Sequence, residues 1–120
     1  MKLEDLEIYQ IALKISDLAW KIYQKLPREF RFKTGLQFLD AADSIGANIS
    51  EGFGRFHYKD SLKFYYNSRG SLFETGHWTS ILKSRNLADP DLYNQMYDYL
   101  SLEKLKLNKF INNTKSLISN

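Results

Sequence analysis

Apolar residues recur every three or four positions along four long stretches of this 120-residue sequence. This spacing places them on one side of a helix, whereas a half-buried strand would alternate apolar and polar residues. Two prolines and six glycines supply few of the turns that an all-β fold requires. We therefore predict an all-α protein, an up-down-up-down antiparallel four-helix bundle forming one domain over residues 1–120.

The expected helices cover residues of about 3–26, 34–53, 58–85 and 90–118, with a basic connection between the first two. Pro27 stops the first helix, because proline disfavours helical geometry in the residue before it. Asp89 followed by Pro90 is a strong start for the fourth helix. Its apolar stripe has heptad spacing, as expected for a continuous helical contact surface: Tyr93, Met96, Leu100, Leu107, Phe110, Thr114 and Leu117.

Composition narrows the class of protein. The absence of cysteine excludes a disulfide framework and a thiolate zinc site. The first residues are acidic, and no apolar run approaches ~20 residues, so we expect no signal peptide, no membrane span and a cytoplasmic location. The apolar stripes of the first and fourth helices are wider than one core needs, and aromatic residues fall on otherwise polar faces. These features predict a homo-oligomer.

The net charge of +3 is unevenly distributed. Basic residues cluster around the first connection, and such a patch is the electrostatic footprint of nucleic-acid binding. The same cations also suit solvated helix faces and helix C-termini, so both interpretations stay open. The candidate nucleic-acid-binding residues are Lys21, Lys25, Arg28, Arg31, Lys33 and Arg55. A second basic group occupies the last segment: Lys104, Lys106, Lys109 and Lys115.

The octapeptide at residues 48–55 closes the hairpin between the second and third helices. Gly52 and Gly54 are expected to end the second helix. If the two helices fold back at about residue 57, polar side chains from both would meet in a structural polar seam and fix their register. The residues assigned to this seam are Ser44, Asn48, Glu51, Arg69, Ser71 and Glu74. A binding cleft is the functional alternative.

Small residues inside the helices predict close helix contacts. Gly46 costs about 1 kcal/mol of helix propensity relative to alanine, which favours the close approach of a neighbouring helix there. In the third helix a run of small residues predicts a second tight contact. Its members are Ser68, Gly70, Ser71 and Gly76.

Two catalytic patterns are incomplete. Glu74 and His77 have the Glu-x-x-His spacing of di-iron bundles, but such a site needs a second motif and two further glutamates. RNA-cleaving bundles carry an Arg and a His with about four to six residues between them, whereas seven separate Arg69 from His77 and one separates Arg55 from His57. We predict no enzyme, no catalytic residue, no metal site and no cofactor, with an RNA-processing enzyme as the weakest alternative.

Two blocks of sequence resemble a known family. They are residues 37–55 (QFLDAADSIGANISEGFGR) and a second block with Asp60, Phe64, residues 69–72 and Glu74. Both are similar to the four-helix-bundle proteins encoded in intervening sequences of bacterial 23S rRNA genes. The resemblance implies a ring, typically a pentamer, without known catalytic residues. Relatives include the accessory protein of diversity-generating retroelements, which binds nucleic acid and a reverse transcriptase.

One position departs from the family pattern. The family usually has arginine where this chain has Asp40. In the expected register residue 40 faces Glu74, so the two carboxylates would repel unless Arg28, Arg31 or Lys33 compensates or the polar seam is rewired. We expect an accessory or scaffold protein for RNA or DNA. The alternative is a protein-interaction module whose surface aromatics bind a partner protein.

Overall fold

The structure, a computed structural model, describes residues 1–118, and all regular elements in that range are helical. A 3-10 turn at Leu3–Asp5 precedes the first α-helix. The α-helices are α1 (Glu7–Gln24), α2 (Arg28–Arg31), α3 (Thr34–Phe53), α4 (Tyr58–Ser84) and α5 (Pro90–Ser116). The all-α prediction is confirmed, with four long helices and the single-turn α2 inside the predicted basic connection.

The start of α1 differs from the prediction. Leu6 has extended backbone, with φ −72° and ψ 123°, so the α-helix begins at Glu7 rather than near Leu3. The extended residue turns the Leu6 side chain into the core, where it is buried. Gln10 Nε2 donates to the carbonyl oxygen of Glu4 at 2.8 Å and holds the preceding turn against the helix.

Hydrogen bonds between α3 and α4 define their relative direction. The buried Ser68 Oγ donates to the carbonyl oxygen of Ile45 at 2.8 Å. Near the other end, Arg85 Nη1 donates to Thr34 Oγ1 at 3.4 Å, which joins the last residues of α4 to the first of α3. The two helices are therefore antiparallel, and the Ser68–Ile45 bond lies within one residue of the register predicted for a fold-back at residue 57.

Helix α5 returns along α4 in the same way. Arg69 Nη1 donates to Asn108 Oδ1 at 3.1 Å, and the hydroxyls of Ser80 and Tyr97 share a hydrogen bond of 2.8 Å. The apolar stripes of the four long helices meet in one core. Its largest fully buried apolar side chains are Tyr93, Phe38, Ile15, Ile22, Leu26, Ile45, Ile49, Leu82, Met96, Leu107 and Ile111.

The glycines divide into crowded and open positions. A Cβ built on Gly46 would lie 3.4 Å from that of Ala12, so the predicted close approach of a neighbouring helix is confirmed, and that helix is α1. The tight contact predicted at Gly70 and Gly76 is wrong. Nothing lies within 4 Å of a Cβ at Gly70, and at Gly76 the nearest atom is Leu100 Cδ1 at 3.9 Å.

Gly52 and Gly54 do not end α3 through a left-handed backbone. No glycine among residues 1–118 has positive φ, and Gly54 follows the helix with φ −78°. Gly52 lies inside α3, where a Cβ would be 2.5 Å from Tyr65 Cε1. Space for α4, rather than a special backbone conformation, therefore requires Gly52.

Within residues 1–118, none of the helices is both long enough and apolar enough to cross a lipid bilayer.

Candidate nucleic-acid interface

The basic end of the bundle is formed by the last turn of α1, by α2 and by the approach to α3. It carries five of the six candidate cations, Lys21, Lys25, Arg28, Arg31 and Lys33. All except Arg31 are exposed. Pro27 brings these cations together, because it ends the path of α1 and lets α2 turn toward α3.

The guanidinium of Arg31 is hydrogen-bonded to backbone carbonyl oxygens at the end of α1. Its Nε donates to the carbonyl oxygen of Leu26 at 3.0 Å and its Nη2 to that of Gln24 at 2.8 Å. The last carbonyls of a helix have no partner within it, and a cation there also complements the helix dipole. Arg31 therefore caps α1, which leaves Lys21, Lys25, Arg28 and Lys33 as the free cations of the basic end.

The antiparallel packing of α4 brings two further cations, which are not among the predicted binding residues, to this end of the bundle. Arg85 lies beside Thr34 at the start of α3. Lys83 lies in the last turn of α4, with its Nζ 5.3 Å from the ring centre of Tyr97. The expected register could have located these two cations, since a fold-back at residue 57 places the end of α4 opposite the start of α3.

Arg55 lies at the opposite end of the bundle. It follows α3, whose 20 residues span about 30 Å. Its Nη2 forms an ion pair with Glu51 Oε2 at 3.1 Å, and its guanidinium carbon lies 4.5 Å from the ring centre of Phe64. The structure therefore separates Arg55 from the other predicted nucleic-acid-binding residues.

Within the part of the chain that the structure describes, the cations of the basic end form no ion pair with an acidic side chain. Across residues 1–118 the two ion pairs are Arg55–Glu51 and Lys106–Glu7, and both lie elsewhere. Glu29 is the one acidic residue on α2. A surface with several unpaired cations attracts polyanions and raises their association rate.

The six residues of the polar seam do not form one network between α3 and α4. On α3, Ser44 Oγ donates to the carbonyl oxygen of Asp40 at 2.7 Å, and Asn48 Nδ2 to that of Ser44 at 2.9 Å. Glu51 pairs with the nearby Arg55. These partners are local because each is four residues away, within reach on the same helix.

The seam residues of α4 are also bonded elsewhere. Arg69 reaches α5 rather than α3, and Glu74 Oε1 accepts a bond from Trp78 Nε1 at 3.3 Å. The carbonyl oxygen of Ser71 accepts from Thr75. The hydrogen bonds that do cross to α3 come from Ser68, predicted only as a small residue at a tight contact, and from Arg85 just after α4.

Among residues 1–118, the structure does not complete the Glu74–His77 metal pattern or bring the Arg69 guanidinium to His77. His77 is exposed, and its ring makes an edge contact with Trp78 at 4.8 Å between centres. Within residues 1–118 no three His, Asp or Glu side chains converge in a way that would hold a metal ion. The guanidinium of Arg69 is bonded to Asn108, so it is not directed at His77.

A groove of about 430 Å³ runs between α4 and α5. We call it the α4–α5 groove. Phe73 and Lys104 face each other across it, with Lys104 Nζ 5.1 Å from the ring centre. It is lined by Leu72, Phe73, Gly76, His77, Ser80, Tyr97, Leu100, Ser101 and Lys104.

Glu103 is the most unusual side chain of α5. It is 0% exposed, and neither carboxyl oxygen has a hydrogen-bond partner in the structure. Burial, together with a smaller effect of the charge of Glu7 on α1, raises the pKa of Glu103 to about 8. A heptad count would have found this residue, because Glu103 occupies the core position between Leu100 and Leu107.

The sequence comparison decides the family. Residues 4–109 match the family described as "23S rRNA-intervening sequence protein". The chain belongs to this family. The resemblance noted in residues 37–55 is thereby confirmed.

A solved structure supports the fold of this 23S rRNA-intervening sequence protein. It is the 1.70 Å crystal structure of a protein of unknown function from the S23 ribosomal protein family of Bacteroides thetaiotaomicron. The two superpose with a TM-score of 0.80 at 20% identity, over 87% of this chain and 97% of the other. At this identity the likeness is evidence for the fold alone. No curated protein matches the sequence.

Asp40, the departure from the family pattern, lies in a surface groove with Lys33 and Trp78. None of the ion pairs among residues 1–118 includes it. Its charge acts on Asp43, whose pKa is raised chiefly by burial and also by Asp40, while a hydrogen bond with Ser16 opposes the shift. Of the three proposed compensating cations, Lys33 shares the groove with Asp40.

Proposed function

We propose that this family member is a non-enzymatic, self-associating scaffold that binds nucleic acid at its basic end. The observation that carries the proposal is the concentration of Lys21, Lys25, Arg28 and Lys33 on one end without acidic partners among residues 1–118. Phosphate contacts from such cations supply most of the affinity of non-specific nucleic-acid binding. The family name makes 23S rRNA the first ligand to test.

Self-association is supported by a second stripe on α1 at the edge of the core, against which its Tyr9 and Tyr23 pack. We call it the α1 outer stripe: Tyr9, Leu13, Ser16, Trp20 and Tyr23. Trp20 is 50% exposed and stacks on Tyr23 with 5.7 Å between ring centres. The stripe has heptad spacing, so a second copy of the chain supplies a matching helical surface. The pentamer implied by the family resemblance is the assembly we expect.

Replacing Lys25 and Lys33 with glutamine is expected to weaken binding of a 23S rRNA fragment about tenfold, because two phosphate contacts are lost. The plot of log affinity against log salt should become shallower by about 2, since each contact contributes roughly 0.9 to the slope. The matched control is the Lys63→Gln/Lys115→Gln variant, with the same charge change far from the basic end. Fluorescence anisotropy at several salt concentrations measures the affinity and its salt dependence for each variant. Equal effects of the two variants contradict the proposal.

Replacing Trp20 with lysine is expected to reduce the mass of the particle in solution toward 14.1 kDa, because a charge inside an apolar interface is costly to desolvate. Size exclusion with light scattering measures this. The matched control is Leu105→Lys, at an apolar residue of α5 that is 69% exposed. A wild-type protein that elutes as a monomer contradicts self-association.

A protein-interaction module is the second candidate. Phe32, next to the basic end, is 71% exposed, and an exposed ring beside cations also suits a protein partner. Salt separates the two candidates. Binding to RNA weakens steeply as ionic strength rises through counterion release, whereas an apolar protein contact changes little.

A further inference from the structure

Cations lie over aromatic rings along the α4–α5 groove. Lys104 covers the ring of Phe73 at 5.1 Å, and Lys83 covers that of Tyr97 at 5.3 Å. In each pair one residue comes from α4 and the other from α5, so the packing of the two helices creates both. The groove thus offers flat apolar surfaces and positive charges at neighbouring positions.

The groove has no carboxylate in its lining. Among neighbouring acidic residues of the two helices, Glu74 bonds Trp78, Glu103 is buried, and Asp98 is exposed but outside the lining. The remaining polar lining consists of Ser80, Ser101 and His77, which donate and accept hydrogen bonds. This combination favours a ligand that is both anionic and planar.

The length of the groove suits a few nucleotides. Its lining on α4 runs from Leu72 to Ser80. Those positions are eight residues apart, which corresponds to about 12 Å. At ~3.4 Å per stacked nucleotide, this length holds about three to four. Outside the lining, the guanidinium carbon of Arg69 lies 5.1 Å from the ring centre of Tyr66, a further cation over a ring but with both residues on α4.

We propose that the α4–α5 groove binds unpaired nucleotides of single-stranded nucleic acid. Bases stack on Phe73 and Tyr97, and Lys104 and Lys83 move from the rings to the backbone phosphates. Every base has a π-face, so this contact tolerates many sequences. A duplex keeps its bases paired and stacked, so it does not fit. The site extends the proposed function to a second surface, and the two can fail separately.

The test compares a fluorescent eight-nucleotide RNA with the same RNA annealed to its complement, by anisotropy. Phe73→Ala is expected to weaken single-strand binding about tenfold, because one stacking platform is lost. Duplex binding should not change. Phe73 is 56% exposed, so the variant is expected to fold, and circular dichroism verifies this. The matched control is Phe56→Ala, which removes an exposed ring between α3 and α4.

The outcomes separate the two proposals. If Phe73→Ala binds the single strand as the wild type does, or no more weakly than Phe56→Ala, the groove is not the site. If in that case Lys25→Gln/Lys33→Gln still weakens binding, the function proposed for the basic end stands. If the wild type binds neither RNA, both proposals are overturned. Selective loss of single-strand binding with Phe73→Ala and with Lys104→Gln supports the groove.

Discussion

Replacing Glu103 with leucine is expected to raise the free energy of unfolding at pH 8 by about 1–4 kcal/mol, the range seen when buried charged groups are replaced by apolar side chains of similar volume. The carboxyl of Glu103 is fully buried and both its oxygens lack hydrogen-bond partners. Leucine keeps the contact with the surrounding core without that desolvation cost. Chemical denaturation at fixed pH measures the change.

The difference in the free energy of unfolding between Glu103→Leu and wild type should depend on pH. The pKa of Glu103 is about 8 in the folded chain, whereas an unfolded glutamate titrates near 4.3. Between these values the folded state holds a proton that the unfolded state has lost, so the free energy of unfolding falls as pH rises. The decline begins above about pH 4, ends near pH 8 and is absent from the leucine variant.

Two controls identify the titrating group. Glu103→Gln cannot ionise, so it should also lose the decline, although its amide stays unsatisfied. Asp98→Asn removes an exposed carboxylate from the same helix and should keep the decline. The charge of Glu7 also raises the pKa of Glu103. A substitution of Glu7 is not a clean control, because it would also break the ion pair between Glu7 Oε1 and Lys106 Nζ at 2.8 Å. If wild type and Glu103→Leu show the same pH dependence, the carboxyl does not titrate as described.

Gly52→Ala is expected to lower the free energy of unfolding by about 1–3 kcal/mol, as overpacking of a close contact does. The new Cβ would lie 2.5 Å from Tyr65 Cε1 and 3.0 Å from the carbonyl oxygen of Ser61. The ring of Tyr65 is buried and makes an edge contact with Phe110 at 5.1 Å between centres. The backbone of α4 would therefore have to move away from α3.

Gly70→Ala is the matched control, with the opposite sign. Gly70 also lies inside a long helix, but a Cβ there meets nothing within 4 Å. Alanine should stabilise the protein by about 0.5–1 kcal/mol through its higher helix propensity. Thermal and urea unfolding measure both variants. Destabilisation by Gly70→Ala would contradict the open surroundings of Gly70.

Local patterns predicted most of the helical architecture. Pro27 and the Asp89–Pro90 pair marked helix limits that the structure has, and the Asp89 side chain accepts the bond from the Asp91 backbone N–H expected of an N-cap. These signals act within one or two turns of the chain, so sequence carries them directly. The late start of α1 at Glu7 was missed, because burial of Leu6 in the distant core decides it.

The candidate site was predicted only in part. The basic end follows from cations that are neighbours in sequence, whereas Arg55 was grouped with them although α3 separates it from them. The polar seam failed as a network because Asn48 and Glu51 found partners four residues away on the same helix or just beyond it. Spacing alone does not show whether a polar group bonds locally or across helices.

The order of amino acids determined which stretches are helical and which side of each is apolar, since periodicity and caps act locally. Tertiary packing alone decided that Gly52 is crowded while Gly70 is open, that Glu103 loses water without gaining a partner, and that Phe73 meets Lys104 in a groove. These properties depend on atoms that lie far apart in sequence and become neighbours only when the helices pack.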